Sequence, residues 1–160
     1  MSAKTLTILV AEDSEEDAFV LRKAFEKTQL PYGMTFVSDG QQAIHYLEGK
    51  PPYNNRAEFP APDLLLLDLK MPIASGFDVL RWMQLSGLDN PPVLVLSGSN
   101  LVEDKSLAMA LGAREYHEKT GQVETVIEFL KSISDRWLKA SLEAKSKPLS
   151  VGDCPQLGAQ

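Results

Sequence analysis

An α/β fold built on a doubly wound parallel sheet is predicted by three features of this chain of 160 residues. Strand-like and helix-like patterns alternate along its length, the arrangement of a parallel sheet with crossover helices. Four consecutive leucines, Leu64 to Leu67, form an apolar run bounded by Pro62-Asp63 and Pro72, the signature of a central strand buried on both faces. Hydrophobic residues make up 44% of the chain, enough at this length for one core and too little for two ordinary domains.

The first strand is read as Leu6 to Ala11. Ser14-Glu15-Glu16-Asp17 has the form of a capping box, and Ala18, Leu21 and Phe25 follow at helical spacing, so a first helix is predicted from Glu15 to Thr28. Met34 to Val37 gives a second strand and Gly40 to Leu47 a second helix. Between Gly49 and Pro62 lie Pro51, Pro52, Pro60 and Pro62 itself, which exclude regular structure and predict a long surface loop. The leucine strand then runs into Asp68, followed by a third helix (Phe77 to Leu85), a fourth strand (Val93 to Leu96), a fourth helix (Val102 to Leu111) and a short fifth strand (Arg114 to His117). In the last helix Val123, Val126, Ile127, Leu130, Ile133 and Trp137 draw one apolar stripe, read as core. The domain is expected over residues 5–140, and the polar residues 141–160, with Pro148, Gly152 and Pro155, are expected to form a disordered tail. No internal repeat is visible.

A net charge of −6 disfavours a nonspecific binder of phosphate backbones, which needs clustered Lys and Arg, so nucleic acid is not an expected partner. No signal-peptide core precedes Leu6 and no apolar segment approaches a membrane span, which points to a soluble, cytoplasmic protein with no membrane partner. The single cysteine, Cys154, excludes an internal disulfide and a cysteine metal cluster. His45 and His117 have no ligand-like companions and are read as structural or surface residues.

With right-handed crossovers and the strand order 2-1-3-4-5 of flavodoxin-like sheets, the carboxyl ends of the strands bring Glu12-Asp13, Asp68, Ser97 and Lys119 to one edge, where open α/β sheets bind ligands. Three carboxylates crowded there repel one another unless a hard cation joins them. Mg2+ suits such a site: it takes oxygen ligands at about 2.1 Å and keeps waters that a phosphate can replace. A phosphoryl group on Asp68 would meet the metal on one side and the Lys119 ammonium on the other, with the Ser97 hydroxyl as a donor. Singly, these residues have plainer readings. Asp13 could be a helix N-cap, Ser97 ordinary loop chemistry and Lys119 a solvated side chain. Asp68, directly after four leucines, has little structural purpose, and joint occurrence at the ends of the right strands favours the functional reading.

From about Leu6 to Trp137 the chain resembles the receiver domains of two-component response regulators. The resemblance rests on Glu12-Asp13, the segment from Asp68 to Pro72 with Gly76 following, Ser97-Gly98, and Tyr116-x-x-Lys119. It implies that Asp68 is the phosphoacceptor, taking a phosphoryl group from a sensor histidine kinase. It further implies that Asp13, Asp68 and the Lys70 backbone carbonyl ligate Mg2+, with Glu12 acting through a coordinated water. Ser97, Gly98 and Lys119 would contact the phosphoryl group, Ser97 and Tyr116 would form the switch, and Lys70 and Ser99 would flank the path of attacking water.

Two positions depart from the family pattern. Thr120 stands where a proline with a cis peptide bond is usual, and Ser97 replaces the commoner threonine, losing the methyl that restrains the rotamer. The Pro-rich loop and the short stretch after Trp137 resemble the small stand-alone receivers that accompany bacterial phytochromes, implying a phytochrome-type photoreceptor kinase as partner. Output would then run through the face of the fourth helix, fifth strand and fifth helix, with a homodimer as one outcome. Two alternatives remain: a degenerate receiver serving as a phosphorylation-independent scaffold, and a small aspartyl-phosphate phosphatase. Against the latter, the general acid expected two residues after the nucleophile is replaced by Lys70.

Overall fold

Alternation of side chains along a strand explains why the leucine run is uninterrupted. In the computed structural model, which describes residues 5–140, Leu65 and Leu67 face one hydrophobic layer and Leu64 and Leu66 the other. All four are 0 to 1% exposed. The expected tail, residues 141–160 with Cys154, lies outside the described residues.

The elements follow in strict alternation: β1 (Thr7–Ala11), α1 (Glu15–Thr28), β2 (Gly33–Val37), α2 (Gly40–Glu48), β3 (Leu64–Leu67), α3 (Gly76–Leu85), β4 (Val93–Ser97), α4 (Val102–Ala110), β5 (Glu115–Glu118) and α5 (Val123–Ile133). The five strands are ordered β2-β1-β3-β4-β5, as expected, and every neighbouring pair is parallel. In one layer Leu9, Ala11, Leu65 and Leu67 meet Ala43 and Tyr46 of α2 and Val79, Leu80 and Met83 of α3. In the other, Ile8, Val10, Leu64 and Leu66 meet Leu21 and Ala24 of α1 and Leu130 and Ile133 of α5. Helix α4 is different: Ala108 is its one buried residue, while Leu101 before it and Val102, Leu107 and Met109 on it are exposed.

Several local details differ from the sequence reading. The first helix carries only half of a capping box, the Ser14 hydroxyl accepting from the Asp17 N–H at 3.3 Å. The complete box closes α3, where Asp78 N–H donates to Ser75 Oγ and Ser75 N–H to the Asp78 carboxylate. After Ile133 the last helix widens into a π-helical turn, Ser134–Leu138, which shifts the apolar register. Leu138 therefore takes the buried position, and Trp137 sits half-buried at the rim with its indole N–H donating to Glu115 Oε2 at 2.6 Å.

The Pro-rich segment contains turns only, yet it is anchored. Tyr53 and Phe59 pack ring to ring (5.2 Å), Tyr53 lies 5.0 Å from the Tyr46 ring, and the Tyr46 hydroxyl donates to the Pro60 carbonyl at 2.9 Å. Arg56 donates to the Leu47 and Phe59 carbonyls at 3.1 Å each, which satisfies the open end of α2.

Candidate functional site

The site begins where the β-ladder ends. Asp68 N–H donates to the Ala11 carbonyl at 3.0 Å, so the β1–β3 pairing holds the acid's backbone one residue beyond the strand. Glu12, the next residue along β1, is fixed in the same way: its N–H donates to the Val37 carbonyl at 2.9 Å, and its carboxylate accepts from the Ser14 N–H at 3.0 Å. Ser14 is the N-cap of α1, which leaves the Asp13 carboxylate uncommitted to capping and exposed. Oxygens of Glu12, Asp13 and Asp68 all lie within 4.8 Å of one another. The expected acid cluster is thus assembled by three strands' worth of backbone hydrogen bonds.

Lys119 arrives from β5. Its N–H donates to the Ser97 carbonyl at 2.8 Å, coupling it to the end of β4, and its peptide bond to Thr120 is trans. The ammonium contacts three carboxylates: Glu12 at 2.7 Å, Asp17 at 2.9 Å and Asp68 at 3.1 Å. An ammonium has three N–H donors, so these contacts occupy them fully. Burial opposes the lysine's charge, but the bonds to Glu12 and Asp17 and the charge of Asp68 outweigh it and hold its pKa above the usual lysine range. For Glu12 the balance goes the other way: burial, reinforced by the Asp68 charge, raises its pKa to about 7 despite Lys119 and the Ser14 N–H. Negative charge exceeds positive here, four carboxylates standing around one ammonium. Excess charge on hard oxygen donors is what a divalent cation relieves, so the residues fit Mg2+.

The remaining expected residues frame this cluster. Ser97 is 1% exposed at the end of β4, its Oγ accepting from the Ser99 N–H. Gly98 is exposed, with open space above its Cα. Lys70 directs its N–H at Asp68 Oδ1 at a long 3.4 Å and is exposed. Tyr116 lies half-buried on β5, its hydroxyl donating to the Ser99 carbonyl at 2.8 Å, so the aromatic is tied to the loop between β4 and α4. That loop is braced in turn by Ser99 Oγ donating to Asp104 at 2.6 Å. His45 meets Gln41, and His117 bonds Glu115 and packs edge-on to Phe129, structural roles for both.

Asp17 and Asp104 escaped the sequence reading. Asp17 was read only as part of a capping box; α1 begins at Glu15, beyond the acid pair, so no helical spacing links Asp17 to Asp13. Asp104 carried no signal either, because its role depends on a loop conformation.

This geometry, an acid cluster with a lysine at the carboxyl edge of a 2-1-3-4-5 sheet, is that of the receiver class of signalling proteins. The chain belongs to the response regulator receiver domain family, whose pattern matches residues 8–131. Among curated proteins it is similar to response regulator Rcp1 of Synechocystis sp., 28% identical over 133 residues, covering 82% of this chain and 88% of that one. The crystal structure of the Mn2+-bound form of Rcp1 superposes with a TM-score of 0.73 at 27% identity, covering 84% of this chain and 95% of that chain. The phosphorylated cyanobacterial phytochrome response regulator RcpA superposes with a TM-score of 0.76 at 29% identity, covering 86% and 96%. No helix among the described residues is long and apolar enough to cross a membrane.

Proposed function

We propose that this receiver accepts a phosphoryl group on Asp68 from a sensor histidine kinase, of the phytochrome type given its similarity to RcpA and Rcp1, in a Mg2+-dependent reaction. One observation carries the reading: the Lys119 ammonium stands 3.1 Å from the Asp68 carboxylate, beside a cluster of acid oxygens within 4.8 Å of one another. Asp13, Asp68 and the Lys70 carbonyl would hold the cation, and Glu12 would act on it through water. When bound, Mg2+ supplies charge neutralisation for the transferring phosphoryl oxygens.

An Asp68 carboxylate oxygen attacks phosphorus, the bond from phosphorus to the kinase's imidazole nitrogen breaks, and the electron pair stays with the imidazole. Lys119 and Ser97, with Gly98 leaving room beside them, donate to the phosphoryl oxygens. Movement of Ser97 toward the phosphoryl group pulls on the Ser99 N–H that it now accepts from, and so on the carbonyl that holds Tyr116. Tyr116 turns inward, and the face of α4, β5 and α5 changes partner preference, including for a second copy of the chain.

Intact mass after incubation with acetyl phosphate tests the reading. A Mg2+-dependent phosphoryl adduct in the native chain, absent in Asp68→Asn, is expected. If phosphotransfer from a histidine kinase and acetyl phosphate both leave the mass unchanged, Asp68 is not an acceptor and the scaffold reading replaces this one.

A further inference from the structure

Lys119 has one partner that the acid cluster does not include. Glu12 and Asp68 both supply oxygens to the group of three carboxylates, whereas Asp17, on the first turn of α1, contributes to the lysine alone. A cation held by Asp13 and Asp68, with Glu12 reaching it through water, would compete with Lys119 for two of its three contacts. The Lys119 side chain is only 16% exposed and its backbone is tied to Ser97, so the ammonium has little freedom to seek water instead. Asp17, at 2.9 Å and about one-third exposed, is the contact that survives.

We propose that Asp17 is the positioning residue for Lys119: it holds the ammonium beside Asp68 when the cation claims Glu12 and Asp68, and so favours both metal binding and phosphoryl transfer. This rests on the phosphoacceptor reading for its kinetic consequence, but not for its effect on the cation. In the absence of Asp17 the lysine falls back on Glu12 and Asp68 as a competing counterion, and Mg2+ must displace it without an alternative partner. The removed negative charge would also weaken Mg2+ directly, through space, whether or not the lysine is present. The two effects separate in a double-mutant cycle.

The test is Mg2+ titration calorimetry on the full chain for native protein, Asp17→Asn, Lys119→Ala and the double variant, with the acetyl phosphate adduct rate measured on the same four. Asp17→Asn is expected to weaken Mg2+ binding by about twofold to fivefold, the range for a partly exposed charge pair. In the Lys119→Ala background only the direct through-space effect remains, so the same substitution is expected to weaken binding clearly less, and Asp17→Glu is expected to restore much of the loss. An equal weakening with and without Lys119 would show a bulk charge effect and overturn the proposal, as would unchanged binding in Asp17→Asn. Failure of the native chain to form an adduct, with the calorimetric coupling intact, would instead overturn the phosphoacceptor reading and leave Asp17's hold on the lysine established.

Discussion

Gly76→Ala offers a sharp test of how tightly the loop after Asp68 is folded back. A Cβ at position 76 would lie 2.3 Å from the Asp68 carbonyl oxygen, 2.8 Å from Leu69 Cα and 3.1 Å from the Asp68 carbonyl carbon. All three are backbone atoms of the segment that carries Asp68, so no side chain can swing aside. The Gly76 N–H also donates to the Leu69 carbonyl at 2.9 Å, which forbids easy separation. Overpacking of this kind typically costs about 1 to 3 kcal/mol. Replacing glycine with alanine at the start of a helix offsets about 0.5 to 1 kcal/mol through the unfolded chain. Because all three approaches are to backbone, the upper end of that cost applies, and a net loss of about 2 kcal/mol is expected in urea denaturation, together with a slower Asp68 adduct, since relief of the clash moves Asp68 relative to Lys119. Gly98→Ala is the control: its Cβ would meet nothing within 4 Å, and stability within about 0.5 kcal/mol of native is expected. Equal stability of the two variants would refute the close approach and the reasoning built on it.

Three further outcomes are expected. Ile73 is 82% exposed and holds a left-handed φ of 70°, so Ile73→Asn is expected to stabilise the protein by about 1 kcal/mol in the same denaturation assay, a destabilisation counting against backbone strain there. Glu115 is held at a pKa of about 2, chiefly by the Arg136 guanidinium at 2.6 Å, with burial opposing and His117 and Trp137 assisting. Its folded pKa lies below the unfolded value of 4.5, so its contribution is present above pH 4.5 and is lost as pH falls toward about 2; Glu115→Gln is expected to flatten that acid limb of the stability profile followed by circular dichroism. Glu12, raised to about 7, is protonated below that pH in the cation-free protein, so Mg2+ binding is expected to tighten as pH rises from about 6 to 8 and to release protons, measurable by calorimetry in buffers of differing ionisation enthalpy; pH-independent affinity would contradict the raised value.

Much of this protein was legible in one dimension. The leucine run and the alternation of periods determined a parallel sheet covered on both faces, and the flavodoxin-like order 2-1-3-4-5, taken with them, carried Glu12, Asp13, Asp68, Ser97 and Lys119 to one edge. The reason is physical: strand alternation and right-handed crossovers are local rules, whereas the order of the strands is set by packing between elements. Element ends were less visible, since β2 begins at Gly33 and β5 extends to Glu118 through pairing with neighbours and not through propensity. Only the tertiary structure decided that Asp17 shares the lysine, that Tyr116 is tied to Ser99 and that the Pro-rich loop is pinned by Tyr46 and Arg56. The same holds for the π-helical turn, which placed Leu138 inside and aimed Trp137 at Glu115. Each of these depends on contacts between elements distant in the chain, where a few tenths of an ångström decide which polar group finds a partner, and no periodicity in the sequence carries that information.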